Sequence, residues 1–166
     1  WFSHSFTFNL PRWTVPLLLA LLMLVFIAAY SWLAVTRHQR FNSTGYDLAI
    51  NEQIVWNTLN GRFFASSLEV DNSFADHFRP FLLALIPFYS VAPRPETLLV
   101  LQAIGLALGA IPLYLLAKEQ WQSKGAALGI TAVYLLLPAL GYMARFDFHI
   151  EVFAIPAFLA AFYMLT

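Results

Sequence analysis

Long apolar runs alternate with two polar clusters along this chain. From Thr14 to Val35 come 22 residues without a charge, TVPLLLALLMLVFIAAYSWLAV, enough for a helix to cross a hydrocarbon core of about 30 Å. The run exceeds the roughly 7–15 apolar residues of a secretory signal peptide, so it predicts a transmembrane helix. Phe81 to Ala92 is apolar for only 12 residues, interrupted by Pro87 and closed by Pro93 and Pro95. That length predicts an interfacial or re-entrant segment rather than a span. Residues 97–117, 125–144 and 152–166 are read as three further transmembrane helices. The pattern therefore predicts an all-α integral membrane protein with about four spans.

The polar stretch runs from Arg37 to Pro80 and holds five of the nine acidic residues (Asp47, Glu52, Glu69, Asp71 and Asp76). Within it, residues 47–60 predict a helix stopped by Gly61, a residue suited to a helix C-terminus. Leu48, Val55 and Leu59 lie on one side of that helix, with Asn51, Glu52 and Gln53 between them, as in a helix lying at a membrane interface. A second interfacial segment is predicted over 74–92. Trp1, Phe2 and Trp13 precede the first span and suit a membrane–water boundary. Gly105 and Gly109 form a GxxxG pattern that admits a close neighbour to the second span.

Lys118 and Lys124 flank a short loop, and short lysine-bearing loops sit on the cytoplasmic side. That places loop 36–79 and residues 145–151 together on the outer side of the membrane, provided that 81–92 does not cross. Arg37 and Arg40 at the end of the first span pull the other way.

Composition narrows the class further. Hydrophobic residues make up 60% and charged residues 11%, against about 45–50% and 25% in soluble domains. The net charge is zero, which gives no field for nucleic acid. The absence of cysteine excludes disulfides and thiolate chemistry. The chain starts at Trp1 and stops inside an apolar run, so residues 1–166 are expected to be the N-terminal part of one polytopic membrane domain in contact with membrane lipids.

Three groups of residues carry candidate chemistry. Asp47 heads the first interfacial helix, where Thr44-x-x-Asp47 fits a capping box. The functional alternative is a general base at the membrane surface. Asp76 and His77 follow Ser73, again in capping-box spacing, while His77 and Arg79 suit an anionic phosphate facing the membrane. Asp147, His149 and Glu151 alternate with Phe146, Phe148 and Ile150. In an extended stretch this period of two aims the polar groups one way. They would then serve, with Asp47 or His77, as ligands of a divalent metal such as Mg or Mn, or as acceptor contacts. A solvated loop with aromatic anchors is the plainer reading. No phosphate-binding glycine loop, HExxH or nucleophile elbow is present.

Tyr46-Asp47-Leu48, Gln53-Ile-Val-Trp56-Asn57-Thr-Leu-Asn-Gly61, Asp76-His77-Phe-Arg-Pro80 and Asp147-Phe-His149-x-Glu151 occur in an order that resembles a bacterial family of membrane proteins, number 2079 among the domains of unknown function. The resemblance covers about residues 37–166. That family is grouped with the glycosyltransferases of the GT-C fold. The resemblance implies an enzyme that takes a sugar from a polyprenyl-phosphate carrier and passes it to an acceptor. By position, Asp47 would be the catalytic acid that deprotonates the acceptor. Asp76, His77 and Arg79, with Glu52, would meet the substrate and its phosphate, and residues 147–151 would form a third wall. The contrasting expectation is a non-catalytic membrane subunit that scaffolds protein partners in a larger complex holding a pigment or cofactor. A transporter is a third reading, and the absence of charges within the first three predicted spans speaks against it.

Overall fold

The computed structural model describes residues 11, 13–69 and 72–166, the side chain of Asp76 excepted. Trp1, Phe2 and the boundary role expected of them lie outside the described residues, whereas Trp13 stands exposed just before the first helix. The regular elements of the described residues are helices. Among the described residues the β contact is one isolated bridge, between Ala65 and Asn72.

The first apolar run forms α1, Thr14–Gln39. The polar stretch forms α2 (Gly45–Leu59), the short α3 (Ser73–Asp76) and α4 (Leu82–Tyr89). There follow α5 (Pro95–Leu108) and α6 (Ala110–Trp121), then α7 (Lys124–Leu135) and α8 (Pro138–Arg145). A 3-10 turn over Ile150–Phe153 leads into α9, Ala154–Met164.

Among the described residues two helices are long and apolar enough to cross a membrane: α1, with 26 residues, and the joined α5–α6, with 27. The pair α7–α8 makes a third if counted as one span broken by a 46° bend. The bend has a local cause. Pro138 disfavours helical backbone at Leu137, whose ψ is 126°, and then opens α8 as its first residue. The run from Ile150 to Met164 is helical but shorter than the two full spans.

The predicted interfacial segment 74–92 divides into α3 and α4. His77 is extended (φ −121°, ψ 103°), and Pro80 both restricts Arg79 and lacks an amide to carry a helix through. In α2, Leu48 and Val55 are buried as expected, but Leu59 is exposed, and Ile50 and Ile54 join the buried face. This helix is thus packed into the bundle end rather than resting on it by one stripe.

Three apolar layers follow one another along α1. Ala34 belongs to a layer with Ile54, Tyr89, Leu98 and Phe148. Phe26 sits in the next, with Leu106, Ala110, Tyr134 and Val152. Val15 packs with Tyr114, Ala117 and Ala127 at the far end. Val15 and Ala34 are 19 residues apart, about 28 Å along a helix, so the core runs roughly the depth of a bilayer. Gly105 and Gly109 admit side chains rather than a helix backbone. A Cβ at Gly105 would lie 2.5 Å from the Phe153 ring, and one at Gly109 would collide with the Tyr134 hydroxyl. That hydroxyl uses the space to donate to Leu106 O at 2.7 Å, beside the junction of α5 and α6.

Candidate functional site

The two polar clusters, some hundred residues apart in sequence, meet at one end of the bundle. Arg37 at the end of α1 donates to Arg145 O at 3.0 Å and lies 3.6 Å from Asp147 Oδ1. Thr44 Oγ1 donates to the other carboxylate oxygen of Asp147. From α5, Gln102 closes the same turn, its amide donating to Met143 O at 2.8 Å and Asp147 O at 3.2 Å. Its oxygen accepts from His149 N at 2.6 Å. Gln102 is wholly buried, so these three bonds satisfy an amide that would otherwise be costly inside the bundle.

Neither capping box forms. Thr44 starts α2 with its backbone, but its hydroxyl serves Asp147 instead of an amide of the first turn. At α3 the cap is Asn72, accepting from Phe74 N at 3.0 Å, and the Ser73 hydroxyl donates to Glu69. In both cases the hydroxyl donates its proton to a carboxylate.

Asp147 is almost fully enclosed, 1% exposed, and its Oδ1 has no hydrogen bond although Arg37 stands near. Burial pushes its carboxyl above the usual carboxylate range, and the charge of Asp47 adds to the rise. Arg37, Thr44 and His149 act in the opposite direction without cancelling it. Asp47 differs. It sits in the first turn of α2 with a side chain 43% exposed.

Asp47, Glu69, His77, Arg79, His149 and Glu151 line one cleft of about 310 Å³, with Tyr46, Asn51, Ile50, Phe148 and Ile150 between them. His149 Nδ1 lies 2.8 Å from Asp147 O, and because a carbonyl only accepts, that nitrogen carries the proton. Its Nε2 therefore faces Asp47 Oδ2, 3.7 Å away, as an acceptor in the neutral ring and as a donor in the imidazolium. At that separation the two are not hydrogen-bonded to each other, and both polar atoms face the cleft. On the other wall, Arg79 stands 3.4 Å from Glu69 Oε1 and donates to Asn51 Oδ1 at 3.4 Å. His77 Nδ1 lies 3.7 Å from the same Glu69 oxygen.

Five of the expected site residues are thus assembled around the cleft: Asp47, His77, Arg79, His149 and Glu151. Two others are placed elsewhere. Glu52 turns toward α4 and accepts from the Tyr89 hydroxyl, whose proton affinity is raised by burial and by this bond. Asp147 lies behind the cleft wall with Arg37 and Thr44. The period-of-two register ends at His149, because Glu151 enters the 3-10 turn. Asp147, His149 and Glu151 consequently do not converge, and no group of three metal-ligating side chains is found among the described residues. The side chain of Asp76 lies outside the described residues. Gln102, Arg37, Thr44 and Glu69 were not among the expected site groups. The signal for Gln102 was available, as a lone amide in the apolar run TLLVLQAIG.

Residues 37–166 match the model of a family described as "predicted membrane protein (DUF2079)". The chain belongs to this family. The matched stretch takes in both polar clusters and the helices that join them, so the DUF2079 region contains the whole cleft. No curated protein and no solved structure matches the chain.

Proposed function

We propose that this DUF2079 protein transfers a sugar from a polyprenyl-phosphate carrier to an acceptor hydroxyl, in the cleft and on the outer face of a bacterial plasma membrane. The observation that carries this reading is the half-exposed Asp47, set against His149 Nε2 in a cleft that also holds Arg79. The cleft's volume falls at the lower end of the range of about 300–1,000 Å³ for small-molecule sites. In the reaction, the acceptor oxygen attacks the anomeric carbon from the face opposite the carrier. The acceptor O–C1 bond forms as the C1–O bond to the phosphate breaks, with inversion. The acceptor's proton passes to Asp47, and the departing phosphate takes the electron pair, its charge met by His77 and Arg79. One base and charge stabilisation of the leaving group suffice for such a displacement.

The test uses the protein reconstituted in vesicles and offered a panel of polyprenyl-phosphate sugars. Asp47→Asn should lower transfer by about 10²-fold or more, while the variant keeps its elution and thermal midpoint. Transfer at near wild-type rates in that variant, or no transfer by the wild type from any donor, would overturn the reading.

A further inference from the structure

The cleft is crowded with carboxylates, but a second concavity on the other side of residues 145–147 has the opposite charge. It is a groove of about 540 Å³ between the end of α1 and the end of α8, lined by Arg37, Arg40 and Arg145 with Trp32, Tyr142 and Phe146. No carboxylate lines it. Arg37 is held in place, bonded to Arg145 O and set 5.3 Å over the Phe146 ring. Among the described residues Arg40 and Arg145 make no ion pair, and both side chains are exposed. Two uncompensated guanidiniums beside a third form a receptor for a phosphate group, which guanidinium binds in a bidentate manner.

Membrane depth gives the ligand its second property. Only 11% of the apolar stretch of α1 is buried, against 56% for α5–α6, so the described bundle leaves this apolar flank of α1 open. Trp32 and Tyr142 stand exposed beside the arginines, the placing of aromatic side chains at headgroup level. Below the groove a second concavity of about 730 Å³ continues between the same helices. It shares Leu33, Tyr142 and Arg145 with the first and adds Tyr30, Ala139 and Met143. Tyr30 lies seven residues before Arg37, about 10 Å deeper along α1. The slot exists because Pro138 tilts α8, while Gly141 lets α8 touch α1 at Tyr30, where a Cβ would collide with the phenol oxygen.

We propose that the α1–α8 groove is a binding site for one lipid bearing a phosphate headgroup, with Arg40 and Arg145 on the phosphate and the hydrocarbon chain lying in the slot between Tyr30 and Ala139. The groove is separate from the cleft, and the proposal does not depend on sugar transfer. It gives a role to a cluster of arginines at the end of a span, where long cationic side chains reach headgroup level.

The test is lipid retention by the purified protein in neutral-lipid nanodiscs, read by native mass spectrometry. The probes are long-chain phosphatidic acid, phosphatidylcholine with the same chains, and inorganic phosphate. One phosphatidic acid should be retained at least about tenfold better than phosphatidylcholine, and Arg40→Ala with Arg145→Ala should abolish that preference. Should the double variant fail to fold, the single change Arg40→Gln, at an exposed site, should still weaken retention several-fold. Ala139→Phe should fill the slot and weaken long-chain phosphatidic acid while sparing a dihexanoyl analogue. No preference in the wild type, or an unchanged preference without the arginines, would overturn the proposal. So would unchanged long-chain binding in Ala139→Phe, or displacement of the lipid by an equal concentration of inorganic phosphate, which would mark a bare anion site.

Discussion

The two ends of this helical bundle are built from the same apolar helices, yet they are finished in different ways. At the lysine end, α6 passes to α7 through Gln122 and Ser123, whose own bonds are local. A single longer-range bond among the described residues, from Thr166 Oγ1 to Glu119 Oε2 at 3.2 Å, reaches this end of α6. Gln122 donates to Glu119 O at 2.7 Å, and Ser123 caps α7 through Ala126 N at 3.3 Å. At the other end, bonds between residues 37 and 145, 44 and 147, and 102 and 149 cross from one part of the chain to another. A turn needs polar groups only to satisfy its own backbone. Long-range bonds that fix a half-exposed Asp47 against a particular nitrogen of His149 do more than end a helix, and such placement is what a chemical site demands. The difference is our reason for proposing the site at this end rather than the other.

The comparison breaks most completely if the two polar clusters do not share a compartment. The chain has no cysteine, so single cysteines report sidedness cleanly. An impermeant thiol reagent should reach Asn60→Cys and Arg145→Cys from one side and Glu119→Cys from the other. With the lysines inside, the first two should label from outside. Labelling of 60 and 145 from opposite faces would dissolve the cleft. All three positions are exposed, so failure to react would not stem from burial.

A smaller effect sharpens the claim that the polar end is held by Asp147. Asp147→Ala leaves Arg37 and Thr44 without their acceptor. It should cost about 2–3 kcal/mol, less than the 3–5 of a fully enclosed pair because Arg37 keeps some solvent. The loss would be read as a lowered unfolding midpoint in mixed micelles. Asp147→Asn should cost less, since the amide oxygen still accepts from Thr44. The two variants also differ with pH. Because burial raises the folded-state carboxyl pKa of Asp147, the folded protein holds this proton more tightly than the unfolded chain. Its contribution to stability is therefore full below the unfolded value of about 3.9 and is lost as pH rises through the folded value. Asp147→Asn should flatten that limb of the stability profile, and an unchanged limb would assign it to another group.

The membrane class and the principal spans were legible because length and apolar composition decide them with little help from tertiary contacts. The cleft was legible as a set of residue types, but not in its wiring. Thr44 and Ser73 read as helix caps because spacing shows which amides are near. It cannot show that the two hydroxyls will turn their protons to Asp147 and Glu69. The alternation through 147–151 read as one aimed face because period two holds only for extended backbone, and the 3-10 turn at Ile150 ends it after His149. Gln102 was hidden by its surroundings. In an apolar run a single amide looks like a tolerated exception, whereas in the fold it joins three backbone groups of the turn that carries His149. The arginine groove was hidden for the opposite reason, since Arg37, Arg40 and Arg145 are gathered only when α8 tilts against α1.

The smallest effect belongs to the lysine end, and it measures how little that end has to do. Ser123→Ala removes the cap of α7 and nothing that reaches beyond it. The expected loss is about 1 kcal/mol, the usual scale for a serine cap, with no change in lipid retention or in transfer. The same loss of stability spread over the polar end would displace His149 from Asp47 and lower activity with it. If Ser123→Ala impaired either function while costing only this much stability, the two ends would be coupled through α7 and the bend at Pro138. The division of labour between them would then have to be given up.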